Sequence, residues 1–119
     1  MTPHDFLLAS RRLMGSDGES LALWSRASAV LARHAIELKT AEILAKHKPG
    51  SQSTRFTVQL LCLIETLKDR NLAQRVASTW AALSCSLHHN TCEMAPVATE
   101  LLDWIGVVGE FLGEHDQTP

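Results

Sequence analysis

The run His88-His89-Asn90-Thr91-Cys92-Glu93 gathers two imidazoles, a thiol and a carboxylate into less than two helical turns, and no other stretch of the chain carries comparable chemistry. On a helix advancing about 100° per residue, His88 and Cys92 share one line and His89 and Glu93 the next, each at the i,i+4 spacing where side chains meet. Three kinds of chemistry suit those residue types. Thiolate, imidazole and carboxylate are zinc ligands, with Cys85 as a further donor. A closed zinc site, however, draws on more than one segment, and the only other cysteine is Cys62, so no metal and no cofactor is expected. A thiol one turn from an imidazole could act as a nucleophile, with Glu93 orienting His89, yet nucleophile, base and orienter seldom converge from a single helix. The third reading is a polar seam, in which the histidines bond to neighbouring helices and the cysteines pack as small reduced hydrophobes.

The elements that must position this run read as helices throughout. Thr2 caps a first short helix, with Pro3 at its first position and Asp5 reaching back, and Gly15 stops it. A second start at Asp17 to Ser20 leads into the longest periodic segment, where Leu21, Trp24, Ala27, Leu31, Ala35, Leu38, Ala41 and Ala45 recur at steps of three and four. This helix runs to about Lys46, where Lys46, His47 and Lys48 complement its dipole and Pro49-Gly50 breaks it. Ser53 or Thr54 caps a third helix whose centre, Leu60 to Ile64, is apolar all round and is therefore expected to be enclosed by others. Asp69-Arg70-Asn71 supplies the next break and cap. The fourth helix, about Leu72 to Met94, carries Leu72, Val76, Trp80, Leu83, Leu87 and Met94 on one stripe. Its second stripe holds Ala73, Ala77, Ala81, Ser84, His88 and Cys92. Two apolar faces predict that this helix is central. Pro96 opens a last helix with Leu101, Trp104, Ile105, Val108, Phe111 and Leu112 on its inner face, fraying after Leu112. Trp24, Trp80 and Trp104 fall on apolar stripes and read as core anchors.

The expected fold is therefore all-α, a single up-and-down helical bundle of four to five helices forming one domain over 1–119, with its core at about 17–112 and a flexible tail at 113–119. A chain of 119 residues, 45% hydrophobic and 20% charged, suits one globular core. A net charge of −2 gives no whole-molecule attraction for a polyanion. Three cysteines in apolar segments fit a reducing, cytoplasmic setting, and the N-terminus lacks the pattern of a secretory signal. No apolar run is long enough for a membrane span.

Candidate binding residues lie outside the histidine run as well. Arg26, Arg33, His34 and Glu37 form a polar line on the second helix. Arg33 and Glu37 pair most simply as a solvated i,i+4 ion pair. Alternatively Arg33, or Arg75 on the fourth helix, faces the His88-His89 cluster and, with Glu93 nearby, completes a notch for a polyanion. Lys46, His47, Lys48 and Arg55 form a basic loop region that could touch phosphate.

The helix order, the segment W-S-R-A-S-A-V-L-A-R-H-A-I-E-L and above all W-A-A-L-S-C-S-L-H-H-N-T-C-E-M-A-P resemble a small actinobacterial branch of the HEPN superfamily over most of residues 20–112. The resemblance implies a helical bundle, commonly a homodimer, whose relatives include RNA-cleaving toxins and defence ribonucleases beside non-catalytic binding domains. Their ribonuclease signature is an arginine followed after four to six residues by a histidine. His88 or His89 fills the histidine place, whereas Ala81, Ala82, Leu83 and Ser84 leave the arginine place empty. That loss removes the group that would hold the scissile phosphate. The expectation is a non-catalytic or degenerate binding or regulatory module, in a toxin–antitoxin-like context, with RNA, a nucleotide or a protein as partner. The competing expectations are a metal-independent ribonuclease using His88 or His89 with a non-canonical arginine, and a purely structural dimerisation protein.

Overall fold

The computed structural model describes residues 2–14, 21–88 and 98–113. They form five helices, α1 (Pro3–Met14), α2 (Leu21–His47), α3 (Phe56–Thr66), α4 (Arg70–His88) and α5 (Ala98–Phe111), with a 3-10 turn at Ser51–Ser53 and no strand among the described residues. The all-α expectation is met.

Several boundaries follow directly from side-chain chemistry. The Asp5 N–H donates to Thr2 Oγ1 at 3.1 Å and the Thr2 N–H donates to Asp5 Oδ2 at 2.9 Å, a reciprocal pair that satisfies two amides the first turn would leave open. At α4 the Leu72 N–H donates to Asp69 Oδ1 at 3.0 Å, so Asp69 is the cap. Gly50 adopts φ +97°, a left-handed conformation that glycine reaches without strain, and turns the chain out of α2. α5 closes at Gly113, φ +88°, whose N–H bonds the Glu110 carbonyl at 3.0 Å. The start of α3 departs from expectation. Ser53 ends the 3-10 turn and Thr54 is its C-cap, and Arg55 stands at the N-cap of α3 without a side-chain bond.

α2, not α4, is the central helix. It packs against all four others, which fan around it in the order α1, α5, α4, α3, and among the described residues α4 has no contact with α1. The buried ridge of α2 also differs from the expected stripe. Ser25, Ser28, Ala29, Ala32, Ala35, Ile36, Thr40 and Leu44 are inward, while Ala27, Leu31, Leu38 and Ala41 are half-buried and Ala45 is exposed. Alanine is the best helix former, so its recurrence on the flank mimicked an apolar face. The small inner residues let α1 come close. Ser10 and Ser28 cross-bond there: Ser10 Oγ donates to the Ser28 carbonyl at 2.9 Å, Ser28 Oγ donates to the Ser10 carbonyl at 3.0 Å, and the hydroxyls lie 2.6 Å apart. Leu7 on α1 is fully buried, so the core begins well before residue 17.

Leu7, Ile36, Leu63, Val76, Leu83, Leu101 and Val108 form the centre of that core, each without solvent exposure and each contributing roughly 1.5–3 kcal/mol by its burial. α3 is not enclosed. Leu60 and Leu63 face inward, whereas Val58 is 42% and Leu61 63% exposed, because α3 lies at one edge of the fan against α2 and α4. On α4, Leu72, Val76, Trp80 and Leu83 face the core as expected, while Ala81 is exposed and Thr79 takes a buried place instead.

Candidate functional site

Only the first histidine of the reactive run falls in a described element: His88 is the last residue of α4. His89, Asn90, Thr91, Cys92 and Glu93 lie outside the described residues, as do the expected continuation of α4 to Met94 and the start at Pro96. The site can therefore be built from the residues that lead up to His88.

α2 and α4 run antiparallel, which sets Glu37 across from Trp80 and Arg33 across from Ser84, one turn before His88. Arg33 Nη1 donates to Ser84 Oγ at 3.4 Å, a long bond. Trp80 Nε1 donates to Glu37 Oε2 at 3.0 Å. The same carboxylate oxygen lies 3.7 Å from Arg33 Nε, and the other lies 3.4 Å from His34 Nδ1. Phe6 of α1 meets the His34 ring edge-on at 4.6 Å, and Phe56 of α3 packs on Trp80 at 4.9 Å. Glu37 is thus the hub of a cluster to which four helices contribute.

The Arg33 and Glu37 side chains each keep 29% of their surface, so this is no freely solvated pair. The firmer contact of the carboxylate is the indole bond, which is shorter than the approach of the guanidinium. The guanidinium lies beside a carboxylate, so a ligand phosphate would compete with Glu37 for it. Chemically the arrangement locks α2 to α4. Trp80 is a half-buried anchor, as expected, but its N–H and the Ser84 hydroxyl were missed as polar partners. The legible signal was that a packed indole needs an acceptor.

Arg75 does not join this group. Its Nη2 lies 2.6 Å from Glu110 Oε2 on α5 and its Nε donates to Asn71 Oδ1 at 3.0 Å. The Glu110 contact is a charge pair without aligned hydrogen-bond geometry. Thirteen residues at about 1.5 Å each separate Arg75 from His88, roughly 20 Å along α4. A groove of about 330 Å³ opens near this far end, between Leu67, Lys68, Leu72, Glu110 and Phe111. Among the described residues none of the expected site residues, Arg75 included, lines it.

The basic loop region is also partly neutralised. Lys48 Nζ donates to Glu65 Oε2 at 2.8 Å, and that bond raises the Lys48 pKa above its ordinary value and lowers that of Glu65. Lys46, His47 and Arg55 are exposed. Cys85, expected to be buried, is exposed and Cys62 is half-buried; Cys92 and the Trp24 side chain lie outside the described set. Among the described residues no three His, Cys, Asp or Glu side chains converge as a metal site would require, and no helix is long and apolar enough to cross a membrane. No protein-family profile, no curated protein and no solved structure matches this chain.

Proposed function

We propose that this chain is a HEPN-like helical bundle acting as a non-catalytic, protein-binding regulatory module that associates with a second copy of itself in a cytoplasmic, toxin–antitoxin-like setting. The observation that carries the reading is the engagement of Arg33. It reaches Ser84, one turn before His88 in α4, and it lies beside the Glu37 carboxylate, which Trp80 holds in place. A phosphate-gripping arginine is most effective when its charge is unspent. The near-neutral chain adds no general attraction for nucleic acid.

A second reading is favoured by the position of the same guanidinium. Ser84 stands where the superfamily signature would carry its arginine relative to His89, and Arg33 reaches Ser84 from another helix. The chain would then be a metal-independent ribonuclease in which His88 or His89 assists attack by the ribose 2′-hydroxyl. Incubation of purified protein with single-stranded RNA in chelator separates the two readings, alongside the His88→Ala/His89→Ala double variant and Glu37→Gln, which frees Arg33 of its carboxylate. The proposed module leaves RNA intact in every case. Cleavage by the wild type that disappears in the folded double histidine variant would establish the ribonuclease instead.

A further inference from the structure

α3 presents an outer face that the fold leaves uncovered. Val58 is 42% and Leu61 63% exposed, the latter the most exposed large hydrophobic side chain among the described residues. Exposed Arg55 stands before them and exposed Glu65 after them. At about 100° per residue Val58, Leu61 and Glu65 fall within one arc of about 60° on the helix, and Arg55 precedes them at its N-cap. The Arg55 side chain has no ion-pair or hydrogen-bond partner among the described residues. Glu65 gives only Oε2 to Lys48, which leaves Oε1 for another donor.

We propose that this face pairs with the same face of a second copy, the two α3 helices lying antiparallel across a twofold axis. The inference rests on the proposed self-association only for the kind of partner; the surface is argued from its own pattern. An isologous contact must be self-complementary, so each group has to meet its complement when the surface is turned on itself. The charged residues are centred on position 60 and the apolar pair between 59 and 60, so one axis serves both. Turned about it, Arg55 faces the second copy's Glu65 at both ends while Val58 and Leu61 cover their counterparts. A parallel arrangement would oppose arginine to arginine. A protein of other sequence would have to reproduce this basic-apolar-acidic order in reverse, which the chain itself already supplies.

The patch is small, since α3 has 11 residues. It falls in the class of weak, concentration-dependent contacts, below about 1,200 Å² of total buried surface, and its ionic ends make it sensitive to salt.

Sedimentation equilibrium from micromolar to millimolar protein tests the proposal, with thermal unfolding as a control for folding. The wild type self-associates. Leu61→Glu, a change at an exposed position, weakens the dimer at least tenfold without unfolding it. Arg55→Glu and Glu65→Arg, which each set like charges together at both ends, do the same singly. The Arg55→Glu/Glu65→Arg double variant restores opposite charges and recovers association. A wild type monomeric at millimolar concentration, a dimer indifferent to all these changes, or a double variant that fails to recover would overturn the proposal. A dimer made through another face would leave the functional reading standing, and RNA cleavage would remove that reading without touching this interface.

Discussion

Thr40 offers the sharpest test of the packing around α2. It has no solvent exposure, and Oγ1 finds neither donor nor acceptor among the described residues. Its neighbours one turn away, Ile36 and Leu44, are equally buried. A buried hydroxyl left unsatisfied costs about 1–3 kcal/mol. Valine has nearly the same shape and a similar helix propensity, so Thr40→Val removes that cost without opening a cavity. The expected gain is about 1–2 kcal/mol, or roughly 4–8 °C in Tm for a domain of this size. Thr40→Ser, which keeps the hydroxyl and deletes a buried methyl, should instead lose about 1 kcal/mol. Urea unfolding followed by far-ultraviolet circular dichroism measures both, given an unchanged m-value. A Thr40→Val protein no more stable than the wild type would refute the reasoning, because it would mean that the hydroxyl is bonded in solution.

Gly106 lies on the exposed side of α5 with open space where a Cβ would stand, so Gly106→Ala should raise stability by roughly 1 kcal/mol in the same assay. The Lys48–Glu65 bond acts at both ends of the pH scale. Glu65, depressed below its ordinary 4.5, contributes stability that is lost as pH falls through its folded pKa. Lys48, raised above its ordinary 10.5, contributes stability that is lost as pH rises through its own. Lys48→Met should therefore lower Tm between those limits and match the wild type more closely beyond them, which calorimetry across pH would show.

Local features were readable from the residues alone. The Thr2–Asp5 box, the break at Pro49-Gly50 and the Asp69 cap each need only neighbours in sequence, and each is where it was expected. The Arg33–Glu37 pair was legible for the same reason. Its cross-helix partners were not, since Trp80 and Ser84 are 43 and 51 residues from Glu37 and Arg33. The inner face of α2 is not legible from periodicity because alanine and leucine recur on both the inner face and the flank, while Ser25, Ser28 and Thr40, which a hydropathy pattern would put outside, are buried. The apolar centre of α3 gave no hint that one side is open, as hydrophobicity reports what can be buried and not what is covered.

The crossed serines between α1 and α2 bear on how the N-terminal helix comes away. Among the described residues each hydroxyl bonds only to the other serine, its carbonyl and its hydroxyl, and small side chains beneath them bring the backbones close. A slight separation would strand both groups before water could reach them, so a half-lifted α1 is worse than either a seated or a fully released one. Its amide protons should then exchange with solvent together, as a latch that opens in one movement and not as an end that peels.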